Sequence, residues 1–136
     1  METVLITGAS SGIGCELAKV YAKNNYDLVL VARRIERLKQ LNSEIKKSNP
    51  KIQVKVIEID LSKSKSPEDL FLLLKKENIK IDILINNAGM GVYGNFLELS
   101  KEEMKKIEKM LNLNMIAIVK LTKIFLNKTK CHKLST

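Results

Sequence analysis

The sequence predicts an α/β fold with a doubly wound parallel sheet, and three observations support this prediction. Short apolar runs alternate with amphipathic helical segments from the first residues onward. The connections between these segments are short, as expected of βα units with right-handed crossovers. A chain of 136 residues, of which 45% are hydrophobic and 29% charged, fits one globular domain, which we take to span residues 1–136.

The first half of the chain contains three predicted strands and two predicted helices. The first two strands are continuous apolar runs, which is typical of strands buried on both faces. The third strand alternates apolar and polar side chains, which predicts a position near a sheet edge. These elements are strands at 4–6, 28–32 and 52–59 and helices at 12–23 and 35–48.

The second half continues the alternation with two helices and one strand. Ser66 is the predicted N-cap of a third helix, with Pro67 as its first residue. Residues 81–85 form the predicted fourth strand. A capping box at 100–103 begins the longest helix, which extends to about Leu126. Its predicted buried stripe consists of Met104, Ile107, Leu111, Met115, Ile118 and Thr122.

Composition and charge argue against several classes of protein. No apolar run approaches the roughly 20 residues of a membrane span, and the first residues lack a basic signal-peptide region, so we expect a cytoplasmic protein. Cys15, Cys131 and the single histidine, His132, do not have the spacing of a disulfide framework or a metal site. The net charge of +9 comes mainly from scattered lysines without interleaved aromatics, so we expect no nucleic-acid and no membrane partner.

A glycine-rich segment lies between the first strand and the first helix, where an open α/β sheet binds phosphate. It reads Thr-Gly-Ala-Ser-Ser-Gly-Ile-Gly over residues 7–14. Glycines let the backbone turn tightly and approach a ligand, while free N–H groups and the positive helix end hold a pyrophosphate. The alternative is a tight turn that needs glycine only for its backbone angles. The candidate binding residues are Gly8, Ser10, Ser11, Gly12, Ile13 and Gly14.

With this segment the chain resembles the short-chain dehydrogenase/reductase family, whose coenzyme loop reads TGxxxGIG. Residues 86–89 match the family's NNAG motif, and Asp60 matches its adenine-contacting aspartate. The resemblance implies a Rossmann-like fold with strand order 3-2-1-4 and hydride transfer between a nicotinamide coenzyme and a carbonyl or secondary alcohol. It also implies that Asp60 and the Leu61 amide face the adenine, that Ala88 and Gly89 line the ribose, and that Asn87 belongs to the same site.

The end of the second strand favours NADP over NAD as the coenzyme. An acidic residue that would bind the ribose 2′-hydroxyl is expected there, but residues 32–34 read Ala-Arg-Arg. A guanidinium can hold a 2′-phosphate through charge-assisted hydrogen bonds worth roughly 1.5 to 3 kcal/mol. We therefore predict NADP, with Arg33 as the deciding residue and Arg34 beside it. The alternative is that Arg33, Arg34 and Arg37 are only surface residues at the start of the second helix and take no part in binding the coenzyme.

Asn114 lies on the predicted apolar stripe of the longest helix. A buried amide needs hydrogen-bond partners, because leaving it unpaired costs about 1 to 3 kcal/mol. One interpretation is a structural asparagine bonded to a backbone carbonyl at a helix irregularity. The family resemblance implies a catalytic role instead, in which this asparagine holds a water connected to the catalytic lysine. We favour the second interpretation, with Asn112 as the weaker candidate.

The family's catalytic YxxxK motif does not occur in these 136 residues, because none of Tyr21, Tyr26 and Tyr93 is followed by lysine four residues later. Ser135 lacks the apolar strand that should carry the catalytic serine. We therefore expect a truncated fold that ends before a fifth strand, is inactive alone, and forms a homo-oligomer or joins a complementing chain. The alternatives are one piece of a split enzyme and a non-catalytic nucleotide-binding or regulatory module.

Overall fold

Five strands form a single parallel sheet in the computed structural model, which describes residues 1–128 and 133–135. Their order across the sheet is β3-β2-β1-β4-β5, with the numbers running along the chain. The predicted α/β fold with strand order 3-2-1-4 is thereby confirmed. Cys131 and His132 lie outside the described residues. The strands are β1 (Thr3–Thr7), β2 (Asp27–Ala32), β3 (Val54–Glu58), β4 (Ile83–Ile85) and β5 (Lys133–Ser135).

The fifth strand corrects the expectation that the sheet stops at β4. The backbone of β5 pairs in parallel with β4, with Lys133 opposite Ile83 and Ser135 opposite Ile85. Sequence reasoning missed this strand because three residues with one apolar side chain make no hydrophobic run. Ser135 therefore does lie on a strand, contrary to the prediction.

Burial along the strands follows their sequence patterns. Residues 4–6 of β1 and 28–31 of β2, in the middle of the sheet, are almost fully buried, as continuous apolar runs predict. At the sheet edge, β3 has one fully buried position, Ile57. The predicted edge position of β3 is thus confirmed. Strand ends differ by one or two residues from the prediction, and β4 begins at Ile83 rather than Ile81.

Helices cover both faces of the sheet. On one face, α1 (Gly12–Lys23) and α2 (Ile35–Ser48) cover the side chains of Val4, Ile6, Leu28 and Leu30. On the other, α3 (Ser66–Lys76) and α5 (Ala117–Lys128) cover Leu5, Val29, Val31 and Leu84. The bounds of α1 and α2 agree with the prediction. Among the described residues, the structure contains no helix both long enough and apolar enough to cross a bilayer.

The start of α3 differs by one residue from the prediction. Lys65 is the N-cap and makes no side-chain capping bond, so Ser66 is the first helical residue and Pro67 the second. The serine side chain is buried beside the proline instead of capping the helix. Proline is tolerated there because its missing N–H is one that the first turn leaves unpaired in any case.

The longest helix is interrupted by a π-helical segment, Asn112–Ile116, which joins α4 (Lys101–Leu111) to α5. The wider π turn shifts the phase of the helix, so the predicted buried stripe is wrong in part. Met104, Leu111 and Met115 of that stripe are exposed, whereas Ile107, Ile118 and Thr122 are half-buried. The fully buried positions are Leu113, Ala117, Leu121 and Phe125.

The predicted capping box at the start of α4 is confirmed. The Ser100 hydroxyl accepts the Glu103 N–H at 3.2 Å, and the Glu103 carboxylate accepts the Ser100 N–H at 2.7 Å. These hydrogen bonds hold the pKa of the Glu103 carboxyl below its usual range. The capping box matters for the stability of α4, because the structure describes every residue of this helix and none of them is buried.

Candidate functional site

A cleft of about 290 Å³ opens at the carboxyl ends of the strands, the edge where open α/β sheets bind ligands. The sequence predictions converge there, because all of the predicted coenzyme residues except Gly12 and Gly14 line the cleft. These are Gly8, Ser10, Ser11, Ile13, Arg33, Arg34, Asp60, Leu61, Asn87, Ala88 and Gly89. Four further lining residues were not predicted, namely Val31, Ala32, Ile59 and Leu113.

Thr7, at the end of β1, joins the glycine-rich turn to the segment after β4. Its hydroxyl oxygen accepts the backbone N–H groups of Asn87 and Ala88, each at 3.0 Å. The Asn87 side-chain amide donates to the carbonyls of Thr7 and Gly8, each at 3.1 Å. The two loops on either side of the cleft are therefore fixed to each other. Sequence reasoning treated Thr7 only as part of the motif and missed this role.

Two glycines of the turn are required by close approach of the backbone. Gly8 has φ of 66°, and a side chain there would lie 2.8 Å from the Cα of Ala88. A Cβ on Gly14 would lie 2.4 Å from both the Asn87 Nδ2 and the Gly8 carbonyl oxygen. Gly14 therefore shapes the cleft by letting α1 start directly against Asn87, although it does not line the cleft itself.

The N-terminal end of α1 points its first-turn amides toward the glycine-rich turn. Ser11 is the N-cap and makes no side-chain capping bond among the described residues. The first-turn N–H groups of a helix have no partner within the helix, and they carry partial positive charge. This end of α1 can therefore bind an anionic group in the cleft.

Arg34 reaches across the mouth of the cleft from the end of β2. Its Nη2 donates to the hydroxyl oxygens of Ser11 at 3.1 Å and Ser10 at 3.4 Å. Arg33, its neighbour, also lines the cleft, and both side chains are exposed. The Arg34 guanidinium and the two hydroxyls thus form a cluster of donors suited to a phosphate, and Arg33 adds a second positive charge to the lining of the cleft.

Asp60 follows β3 and lines the cleft together with Arg33. Burial raises the pKa of its carboxyl, but hydrogen bonds from the Ser62 hydroxyl and amide, with the charges of Arg33 and Lys63, outweigh that effect and lower it. The Ser62 hydroxyl donates at 2.6 Å and the Ser62 N–H at 3.0 Å to the same carboxylate oxygen. Asp60 is therefore held as an ionised acceptor at the cleft wall.

Asn114 lies in the π-helical segment and does not line the cleft. Its Oδ1 accepts the Met90 N–H at 2.9 Å, and its Nδ2 donates to the Met90 carbonyl at 2.8 Å. A side chain on Gly89 would lie 3.3 Å from the same Oδ1. The contacts match the structural interpretation of Asn114, a half-buried amide bonded to backbone at a helix irregularity. Asn112 faces a different groove, beside Lys63 and Ser64.

The model of the short chain dehydrogenase family matches residues 2–133, nearly the whole chain. This chain belongs to that family. The short-chain dehydrogenase from Sphingobium yanoikuyae in complex with NADPH superposes with a TM-score of 0.82 at 36% identity, covering 94% of this chain and 48% of that one.

Curated relatives of this short-chain dehydrogenase agree with the structural comparison. An uncharacterised oxidoreductase of Mycobacterium tuberculosis is 40% identical over 90 residues, 66% of this chain and 36% of the relative. A very-long-chain 3-oxoacyl-CoA reductase of Coccidioides immitis is 33% identical over 122 residues, 88% of this chain and 34% of the relative. The chain thus spans about half of the solved structure and about a third of these relatives.

Proposed function

We propose that this chain binds NADP(H) in the cleft at the carboxyl edge of the sheet. The glycine-rich turn and the N-terminal end of α1 hold the diphosphate, because the first-turn N–H groups of a helix have no partner within the helix and are available to an anion. Asp60 and Leu61 contact the adenine, and Ala88 with Gly89 lines a ribose. The cleft residues fit such a ligand, since they combine amides, hydroxyls and guanidinium groups for phosphates with apolar side chains for the rings.

The observation that carries the preference for NADP is the contact of Arg34 with Ser10 and Ser11. A carboxylate at the end of β2 would repel a 2′-phosphate, whereas residues 33–34 supply two positive charges. The hydroxyls already hold the Arg34 guanidinium over the turn, so little ordering is needed when a phosphate arrives. We therefore assign the main phosphate contact to Arg34 and a supporting charge to Arg33, which also faces Asp60.

The reaction that this site serves is hydride transfer between NADP(H) and a carbonyl or secondary alcohol. The bound coenzyme supplies the hydride donor or acceptor. The residues of this chain bind the coenzyme, orient it between the segments after β1 and β4, and keep those segments in a fixed relation through Thr7 and Asn87. These 136 residues contain no YxxxK sequence, so we infer that turnover requires an acid/base group from outside them.

Coenzyme titration tests the proposal directly. NADPH should bind to the chain with an affinity about 10- to 100-fold higher than that of NADH, which corresponds to one or two charge-assisted hydrogen bonds. Arg34→Ala should remove most of this ratio, and Arg33→Ala should remove a smaller part. Arg37→Ala is the matched control, because Arg37 is an exposed arginine that does not line the cleft. Equal affinities for the two coenzymes would contradict the NADP preference.

The second candidate function is a nucleotide-binding module without turnover, or one piece of a split enzyme. The absence of YxxxK from these 136 residues favours it. In the first case, NADPH binds but no ketone or alcohol changes its absorbance. In the second, turnover appears only when a second polypeptide that contains YxxxK is added. Turnover by the chain alone would contradict both alternatives.

A further inference from the structure

The segment between β3 and α3, residues 60–65, supplies Asp60 and Leu61 to the wall of the cleft. It is neither helix nor strand, so the regular hydrogen bonds of those elements do not hold it. Ordering an irregular backbone costs conformational entropy, and such a segment keeps one position only where individual contacts fix it. The position of Asp60 and Leu61 in the cleft therefore depends on these contacts.

The first contacts lie within the 60–65 segment. Ser62 donates its hydroxyl and its N–H to the Asp60 carboxylate. The Lys63 N–H donates to the Asp60 carbonyl at 3.2 Å, and the Ser66 N–H donates to the Lys63 carbonyl at 3.1 Å. These bonds set the shape of the segment, but they do not attach it to the rest of the molecule.

The attachment of the 60–65 segment is to α5. The Leu61 side chain is buried in the same apolar cluster as Ala117 and Leu121. Three residues further along the segment, the Ser64 carbonyl accepts a hydrogen bond from the Lys120 Nζ at 2.7 Å. A hydrogen bond from a charged donor is shorter and stronger than one between neutral groups. Lys120 therefore ties the exposed part of the segment to a helix of the opposite layer edge.

Lys120 also forms an ion pair with Glu68 of α3, which offers a simpler account of its position. That pair is longer, at 3.6 Å, and the Glu68 side chain is 48% exposed. Exposed ion pairs contribute little to stability. The shorter bond to the Ser64 carbonyl is therefore the main contact of the Lys120 ammonium group.

We propose that Lys120 is a positioning residue for the adenine part of the coenzyme, acting through the Ser64 carbonyl on the segment that carries Asp60 and Leu61. The inference rests on the proposed binding of NADP(H) in the cleft. Lys120 itself does not line the cleft, so its loss changes coenzyme binding only by releasing the segment. The Arg34 side chain is held by other residues, so the contact with the 2′-phosphate does not depend on Lys120.

Amide hydrogen exchange without coenzyme tests the contact itself. Lys120→Met keeps a long side chain and loses the ammonium group. In this variant the Lys63 and Ser66 amides should exchange about three to ten times faster, since both are bonded within the released segment. Lys120→Arg retains a donor and should exchange as slowly as wild type. Lys123→Met is the matched control, at an exposed lysine on the same helix, and should also follow wild type. Unchanged exchange in Lys120→Met overturns the proposal.

Coenzyme titration tests the role in binding. Lys120→Met should bind NADPH about three to ten times more weakly than wild type. The ratio of NADPH to NADH affinity should stay as in wild type, because Arg34 sets it. The preference for NADPH over its hypoxanthine analogue should fall, because the two differ only at the 6-amino group that the Asp60 carboxylate can accept. Lys120→Arg should recover both values, and Lys123→Met should not alter them.

The outcomes separate this role from a general loss of stability. If Lys120 were only structural, its loss would weaken NADPH and the hypoxanthine analogue by the same factor, and that result overturns the proposal, as does unchanged NADPH affinity. Glu68→Gln should bind NADPH as wild type does, and an effect equal to that of Lys120→Met would contradict the assigned contact with Ser64. A wild-type chain that binds no NADPH would contradict the proposed function, and this inference with it, even where the exchange rates respond as expected.

Discussion

Thr7 and Asn87 fasten the carboxyl ends of β1 and β4 to each other through backbone and side-chain groups. The Thr7 hydroxyl accepts the Asn87 N–H at 3.0 Å, and the Asn87 side chain donates to the Thr7 carbonyl at 3.1 Å. One strand carries the glycine-rich turn and the other carries the segment after β4, which we propose to hold the diphosphate and a ribose of the coenzyme. The shape of the cleft therefore depends on a contact between two residues that are 80 positions apart in the chain.

Replacing the Thr7 hydroxyl with a methyl group tests this contact. Thr7→Val keeps the shape of the side chain and leaves the N–H groups of Asn87 and Ala88 without their acceptor. We expect the free energy of unfolding to fall by about 2 to 4 kcal/mol, since each buried donor left unpaired costs roughly 1 to 3 kcal/mol. Urea denaturation measures the change. Thr7→Ser, which keeps the hydroxyl, is the control, and equal stability of the two variants would contradict the prediction.

Gly14→Ala tests the close approach of α1 to the segment after β4. Alanine favours a helix over glycine by about 1 kcal/mol, so a free position would gain stability. Here the new methyl group would lie 2.4 Å from the Asn87 Nδ2 and from the Gly8 carbonyl oxygen, and both must move. We expect lower stability and an NADPH dissociation constant at least tenfold higher, since overpacking costs about 1 to 3 kcal/mol.

Val20→Ala serves as the control for Gly14→Ala, because Val20 is an exposed position on the same helix. Its NADPH affinity should equal that of wild type. Wild-type affinity in Gly14→Ala as well would show that the turn does not bind the coenzyme in the proposed way.

Strands β1 to β4 and the cleft were predictable because their determinants are local in sequence, whereas β5 has no hydrophobic run to reveal it. Buried strands appear as apolar runs, and the residues that line the cleft follow directly after those runs, where the ends of parallel strands meet. The shift of the buried stripe to Leu113 and Ala117 was not predictable, because the sequence pattern was interpreted with a constant helical period and a π turn breaks that period.

The contact between Arg34 and the two serines depends on three-dimensional placement. Ser11 and Arg34 are 23 positions apart and meet only because β1 and β2 are neighbours in the sheet. The sequence therefore identified both arginines and gave the greater weight to Arg33, whereas the contact of Arg34 with both serines is the basis of our proposal that Arg34 makes the main phosphate contact. Tertiary contacts of this kind leave no periodic signal in a single sequence.

The lowered pKa of the Asp60 carboxyl predicts a pH dependence of stability. A carboxyl whose pKa is lower in the folded state stabilises the fold above its usual value of about 4, and this contribution is lost as the pH falls through the folded-state value. Ser62→Ala removes the donating hydroxyl, so the variant should lose less stability than wild type between about pH 5 and pH 2. Urea denaturation across that range measures the difference. Ser64→Ala, at an exposed serine two residues further on, should follow wild type.

The capping box of Ser100 and Glu103 should control the local stability of α4. Ser100→Ala removes the acceptor of the Glu103 N–H, and loss of an N-cap costs about 1 kcal/mol. Because none of the described residues of α4 is buried, little packing compensates for the loss. Amide hydrogen exchange across α4 should therefore become about five times faster, with the sheet unchanged. Ser43→Ala, at an exposed position inside α2, should leave exchange in α4 as it is.

Asn114 allows a test between a structural role and a water-holding role. Asn114→Ala removes both hydrogen bonds to Met90, and Asn114→Asp keeps the acceptor but places a carboxylate oxygen against the Met90 carbonyl. If Asn114 holds the segment after Gly89, both variants should speed hydrogen exchange of the Met90 amide and weaken NADPH binding. The expected loss of stability is about 1 to 3 kcal/mol for the unpaired backbone groups.

A residue that served only to hold a catalytic water would leave the Met90 amide and the NADPH affinity unchanged in Asn114→Ala. Asn112→Ala is the control, because Asn112 is two residues away and faces the groove beside Lys63 and Ser64. Exchange rates by NMR and a coenzyme titration on the same samples separate the two roles. The hydrogen bonds at 2.8 Å and 2.9 Å favour the structural one, since an amide that donates to and accepts from the same backbone residue has its side-chain geometry fixed on both sides.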